Sequence, residues 1–155
     1  MVCLGNICRS PIAEGVMKSI VAENKLQWTV DSAGTESFHI GEAPHRYSLQ
    51  VCKENGIDIS DQRAAKFYHS QMLEYDKIYA MATDVYENIK EICGTKFDET
   101  KVQLFLNDLY RGENRSVKDP WYGDLQGYYE VFDEITKGCE AILVRNEHHA
   151  TSILP

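Results

Sequence analysis

An α/β fold, with a central four-stranded parallel sheet flanked by helices on both faces, is what this sequence predicts, on three observations. Short apolar runs of strand length alternate along the chain with longer stretches of helical period. Pro and Gly punctuate the joins, and no repeat, low-complexity tract or linker interrupts them. The length of 155 residues matches one domain, expected to span 1–155.

Residues 1–4 read as a strand stub and residues 5–9 as a loop. Ser10-Pro11 then offers an N-cap and a proline suited to a first helical position, and Ile12, Val16 and Ile20 recur on one helical face, so a helix is predicted to about Asn24. Residues 26–31 read as the second strand, because Trp28 and Val30 alternate with polar neighbours. A Gly-containing loop over residues 32–43 follows, and Pro44 opens a second helix that ends at Gly56. Residues 76–82 are the third strand. Thr83 caps a helix with Val85, Ile89 and Ile92 on one side and Gly94 just past its end. Residues 102–106 form the fourth strand. Beyond the polar stretch 107–119, a last helix is predicted over residues 126–145, with Val131, Ile135, Cys139 and Ile142 as its stripe. In such sheets ligands bind outside the carboxyl ends of the strands where the strand order reverses, so the loop after the first strand is the expected site.

Composition narrows the function. With 43% apolar and 26% charged residues the chain is that of a folded protein. Its net charge of −8 is the wrong sign for generic nucleic-acid binding. The N-terminal third is the least acidic part, which leaves room there for a local anion site. No apolar run has the length of a membrane span and no export signal is visible, so a soluble, cytoplasmic protein is expected. The five cysteines are odd in number and lack metal-ligand spacing, which points to reduced thiols and, at most, one reactive cysteine.

Residues 3–11 read Cys-Leu-Gly-Asn-Ile-Cys-Arg-Ser-Pro, so Cys3 and Arg9 bracket five residues between a strand and a helix N-terminus. A bare Cys-x5-Arg is a weak pattern, but its context is specific. A short loop closing on a helix N-terminus can aim successive backbone N–H groups at one point, where the helix dipole adds positive potential. Gly5-Asn6 tolerates the positive φ that such a cradle requires. Arg9 adds a planar fork for two phosphoryl oxygens. The same field favours the thiolate of Cys3, a nucleophile for phosphorus. A buried structural cysteine is the plainer reading of Cys3, but it leaves the Gly, Asn, Arg and Ser-Pro around it without a purpose. No Gly-Lys dipeptide occurs, so a nucleotide P-loop is excluded.

Residues 3–11, with Ile12-Ala13-Glu14 after them, resemble the signature of the low-molecular-weight protein tyrosine phosphatases. Asp31-Ser32-Ala33-Gly34-Thr35 and Asp119-Pro120-Trp121-Tyr122-Gly123 resemble that family's second and third motifs, and the likeness covers about residues 1–145. The resemblance implies a phosphotyrosine phosphatase I-like fold and hydrolysis of phosphotyrosine and other aryl phosphate monoesters through a phosphocysteine, without metal or cofactor. It implies Cys3 as nucleophile, Arg9 with Leu4, Gly5, Asn6, Ile7, Cys8 and Ser10 as the phosphate-binding loop, and Asp119 as proton donor and then acceptor. An Asp before Pro is otherwise a turn starter. Ser10 would hydrogen-bond the Cys3 sulfur, and Ser32 with Asn6 would support the loop, although a turn role suits either residue. Ile7, Phe38, Trp121 and Tyr122 would wall a slot that admits a phenyl ring, Phe38 being equally readable as an ordinary aromatic. Cys8 is either the partner of Cys3 in a reversible disulfide or a packed thiol. The partners implied are phosphotyrosine proteins and small aryl phosphates, with inorganic phosphate as product and inhibitor, no nucleic acid or membrane, and a monomeric state.

The pattern departs from the family in places. Only Met1 and Val2 precede the nucleophile, which predicts a short first strand. Gln62 and Ala65 stand where relatives often carry His and Arg, and Ala82 where they often hold an acid, so the hydrogen bonding behind the loop is expected to differ. Three readings compete on the same scaffold. An arginine-phosphate phosphatase resembles a Thr-containing loop, against which Ile7 argues. An arsenate reductase needs two relay cysteines after the third strand, where only Cys93 is nearby. A catalytically impaired phosphotyrosine-binding module would grip anions without turnover.

Overall fold

In the computed structural model, which describes residues 1–150 with side chains to Glu147, the strand that leads into the Cys3 loop lies inside the sheet. This strand, β1 (Val2–Cys3), pairs in parallel with β2 (Ala33–Gly34) on one side and β3 (Ile78–Ala80) on the other, and β4 (Val102–Leu104) closes the far edge. The order β2-β1-β3-β4 means that the chain leaves β1 in one direction and later returns to its other side. The strand order therefore reverses at β1, as the sequence led one to expect, and the loop after Cys3 sits at that point.

Both faces of the sheet are covered. One face carries α1 (Arg9–Glu23), α2 (Arg46–Glu54) and α5 (Leu125–Ala150), packed around Ile12, Met17, Val51, Tyr128 and Ile135. The other carries α4 (Thr83–Cys93), whose Val85, Ile89 and Cys93 pack on Val2, Ala80 and Phe67, with the short α3 (Gln71–Glu74) contributing Met72. Residues such as Ile12, Ile89 and Ile135 are fully buried, and each such side chain contributes about 1.5–3 kcal/mol. α1 is unusual in being buried on every side from Arg9 to Met17, because the sheet, α2 and α5 enclose it. Charged Arg9 and Glu14 are thereby carried into the interior. No helix among the described residues is long and apolar enough to cross a membrane.

Several boundaries differ from the sequence reading. Residues 26–31 are not a strand: the register pairs Val2 with Ala33 and Cys3 with Gly34, and the ladder to β1 starts with the Ala33 N–H donating to Met1 O at 3.0 Å. Trp28 and Val30 do lean on the core, which produces the alternation without strand pairing. Ser10 is not an N-cap. α1 begins two residues earlier than that reading, at Arg9, with Cys8 in the cap position and no side-chain cap, and the Ser10 hydroxyl is engaged by Cys3 and Asn6. Thr83 is likewise the first helical residue rather than the cap, and its N–H donates to Ser116 Oγ at 2.9 Å. Phe105–Asn107 turns into a 3-10 helix, which shortens the fourth strand. α5 runs past residue 145 to Ala150, and the final five residues of the expected domain lie outside the described residues.

Candidate active site

Four carbonyls of the loop from Cys3 to Arg9 are turned outward onto the scaffold. Cys3 O accepts from Thr35 N at 3.0 Å, Leu4 O from Glu36 N at 2.9 Å, Ile7 O from His45 N at 2.7 Å and Cys8 O from Ser48 Oγ at 3.2 Å. A loop that presents its carbonyl oxygens to the outside keeps its N–H edge for the centre, the arrangement of an anion cradle. The Asn6 N–H already points at the Cys3 sulfur, 3.2 Å away. The close approach of β2 depends on Gly34, where a Cβ would lie 2.7 Å from Leu4 O and 3.0 Å from Asn6 N.

Asn6 is the pivot of the loop. Its backbone is left-handed at φ 57°, a conformation that Asn tolerates better than most residues. Its side chain fixes that turn three ways: Nδ2 donates to Ser10 Oγ at 2.8 Å and to Ser32 Oγ at 2.9 Å, and Oδ1 accepts from Ala65 N at 2.9 Å. Ser32 passes the chain on to the buried Glu14 carboxylate, 2.5 Å from its hydroxyl, and Glu14 is also paired with Lys18 at 2.6 Å. Ser10 Oγ completes the network 2.9 Å from Cys3 Sγ. Beside it, Gln62 donates to Pro11 O at 3.1 Å and leaves its Oε1 buried without a partner.

Arg9 reaches across from α1 to the loop before α5. Its buried guanidinium donates to Val117 O at 3.1 Å and to Asp119 Oδ2 at 3.4 Å. Asp119 leads the 3-10 turn Pro120–Tyr122, its Oδ1 accepting from Trp121 N at 3.1 Å, while its carboxyl stays 36% exposed. The nucleophile candidate and the guanidinium thus bracket one loop, and the Arg9–Asp119 contact brings a half-open carboxyl from residue 119 to it.

The other sequence-predicted residues divide. Leu4, Gly5 and Ile7 lie in the loop, with Ile7 buried, and Trp121 is half-exposed between the rings of His39 and His45. Phe38 and Tyr122 are 77% and 92% exposed and project into solvent rather than closing a slot. Cys8 is buried against Tyr128, its Sγ 3.3 Å from the phenol, and burial pushes its thiol up to about 12. Cys52 and Cys139 are core thiols likewise pushed up by burial, and Cys93 is buried at the end of α4.

Glu14 and Gly34 entered the sequence reading only as motif positions without a role, and the Val117 carbonyl, His39, His45 and Tyr128 escaped it. A carboxylate among the apolar residues of α1 was the available signal for Glu14. A backbone carbonyl such as Val117 O leaves none.

The family model for low molecular weight phosphotyrosine protein phosphatase matches residues 1–151. The low molecular weight phosphotyrosine protein phosphatase of Saccharomyces cerevisiae is 36% identical over 141 residues, covering 87% of this chain and 86% of the relative. A crystal structure of a protein tyrosine phosphatase from Entamoeba histolytica, with Hepes in the active site, superposes with a TM-score of 0.87 at 32% identity and covers 96% of both chains. The crystal structure of a Drosophila arginine phosphatase superposes with a TM-score of 0.85 at 27% identity, covering 94% of each chain. With its loop, its buried arginine and its Asp-Pro-Trp-Tyr turn in this arrangement, the chain belongs to the low molecular weight phosphotyrosine protein phosphatase family.

Proposed function

We propose that Cys3 is the nucleophile, Arg9 the phosphate clamp and Asp119 the general acid and base of a phosphotyrosine phosphatase. The observation that carries this reading is the convergence of Cys3 Sγ, bonded to Ser10 Oγ at 2.9 Å, with the Arg9 guanidinium, bonded to Asp119 Oδ2 at 3.4 Å, around one inward-facing loop. Family membership makes the chain a cysteine-dependent hydrolase of phosphotyrosine.

Each step follows from the groups present. The phosphoryl group enters the loop, where the backbone N–H groups and Arg9 hold its equatorial oxygens and leave phosphorus facing Cys3. The Cys3 thiolate attacks phosphorus as the bond to the phenolic oxygen breaks, and Asp119, as the carboxylic acid, gives its proton to that oxygen. Water then attacks the phosphocysteine and yields its proton to the Asp119 carboxylate. The S–P bond breaks and inorganic phosphate leaves. Ser10 donates to the sulfur as it regains its negative charge. Asn6 and Ser32 keep the loop in the shape that both steps need.

The half-exposed Trp121, next to the Asp119 turn, offers an aromatic face to a planar aryl group, which supports phosphotyrosine over phosphoarginine. The exposed Phe38 and Tyr122 are free to close on a bound ring. Cys8, held as a protonated thiol by burial, would be the resolving partner once peroxide converts Cys3 to a sulfenic acid, the disulfide forming with loss of water. We place the enzyme in the cytoplasm as a single-domain monomer.

The test is hydrolysis of p-nitrophenyl phosphate in excess EDTA, with Cys3→Ser as control and phosphotyrosine, phosphoserine and phosphoarginine peptides in parallel. Turnover that depends on Cys3 and favours phosphotyrosine is expected. Undiminished turnover in Cys3→Ser, or a preference for phosphoarginine, would overturn the assignment.

A further inference from the structure

The Trp121 ring of the Asp119–Gly123 turn is held by contacts with residues that belong to no motif. Trp121 is bracketed by two imidazoles, His39 at a centroid distance of 5.6 Å and His45 at 5.5 Å. His45 continues inward, lying on the buried Tyr128 ring at 5.0 Å with the planes 14° apart, and it meets Tyr47 edge-on at 5.3 Å. Its backbone N–H donates to Ile7 O at 2.7 Å, so the residue is tied to the phosphate loop itself. The backbone N–H of Trp121 donates to Asp119 Oδ1 at 3.1 Å. A path from Ile7 through His45 and Trp121 to Asp119 thus joins the loop to the acid-bearing segment by two hydrogen bonds and one ring contact.

We propose that His45 is a positioning residue: its ring, seated on Tyr128, is the spacer that fixes Trp121 beside Asp119 and so sets the preference for aryl over alkyl phosphates. The inference rests on the phosphatase reading above and extends it to a specificity determinant. Edge-on and stacked ring pairs have a definite geometry, so replacing the ring changes where Trp121 sits rather than merely loosening the surface.

His45 has a second role that must be separated from the first. As N-cap of α2 its Nδ1 accepts from Tyr47 N at 3.2 Å, which assigns the proton of the neutral ring to Nε2. The groups around it are Arg46 and Tyr47 of α2, Tyr128 of α5, and Trp121 beside Asp119. Burial and the Arg46 charge both favour the neutral ring. Aspartate would cap α2 at least as well but brings no ring, whereas phenylalanine keeps a ring and loses the cap.

The experiment measures kcat and KM for a phosphotyrosine and a phosphoserine peptide, together with Tm, in the wild type, His45→Asp, His45→Phe, Trp121→Ala and the His45→Asp/Trp121→Ala double variant. His45→Asp is expected to keep its Tm while the aryl-to-alkyl ratio of kcat/KM falls about 2- to 12-fold, mainly through KM, the worth of one ring contact. His45→Phe is expected to lose Tm but keep the ratio within about twofold. In the Trp121→Ala background His45→Asp should have no further effect on the ratio. A wild-type ratio in His45→Asp, an equal loss in His45→Phe, or additive losses in the double variant would overturn the proposal. Cys3-dependent turnover by the wild type in the same assay reports on the phosphatase reading independently.

Discussion

The Asn6 carboxamide donates to Ser32 Oγ at 2.9 Å across 26 residues of sequence, and this contact ties the left-handed turn of the Cys3–Arg9 loop to the segment entering β2. A short loop with its N–H edge turned inward needs an outside brace. Asn6 supplies it with three hydrogen bonds from one side chain.

Asn6→Ala should therefore be costly although the side chain is small. It removes those bonds, leaves the Ala65 N–H without its acceptor and puts a Cβ-bearing residue without local polar support at φ 57°. A loss of about 2–4 kcal/mol is expected in urea unfolding, with weaker inorganic phosphate binding by calorimetry. Wild-type stability and phosphate affinity would show that the backbone holds the turn unaided.

Gly34→Ala tests the same brace from the strand side. The added Cβ would meet Leu4 O and Asn6 N, which are backbone atoms and cannot rotate away. A loss of about 1–3 kcal/mol in thermal unfolding should accompany a fall in kcat/KM. Full activity in this variant would mean that the loop tolerates displacement.

Asp119→Asn removes the proton donor while keeping a side chain that can accept from Trp121 N. Phenyl phosphate hydrolysis should slow by about 10²–10⁴-fold, whereas p-nitrophenyl phosphate, whose leaving group needs little protonation, should slow far less. Plotting kcat against leaving-group pKa gives the answer: equal slowing for all substrates would remove Asp119 as the acid.

His45 makes stability depend on pH. Burial, with Arg46 adding to it, lowers its folded-state pKa below the ordinary 6.5. The unfolded chain therefore binds this proton more readily than the native one, so stability is lost as pH falls from the unfolded value towards the folded one, and no penalty remains above 6.5. Urea midpoints between pH 5 and 7.5 should show this component in the wild type and lack it in His45→Phe. An unchanged pH dependence in that variant would place the effect elsewhere.

Local chemistry made much of this protein legible. The residues from Cys3 to Pro11 declare a strand, a tight loop and a helix N-terminus within nine positions, and that proximity in sequence is what an anion cradle requires. The stripes Val85-Ile89 and Val131-Ile135-Cys139-Ile142 likewise declare helices, because a 3.6-residue period is a property of the chain itself.

Register and side-chain partnership were decided only by the tertiary structure. Residues 26–31 alternate like a strand, yet pairing with β1 falls on Ala33–Gly34, since a partner strand, not periodicity, selects the paired residues. Ser10 reads as a cap until Cys3 and Asn6 claim its hydroxyl. The contacts of Arg9 with Val117 and Asp119 span more than 100 positions, and the stack of His45 on Tyr128 joins α2 to α5. The sequence by itself determined which groups could do the chemistry, because residue type and short spacing are written in it. The distances that make those groups one site arise from packing helices on two faces of a parallel sheet, and no local pattern encodes them.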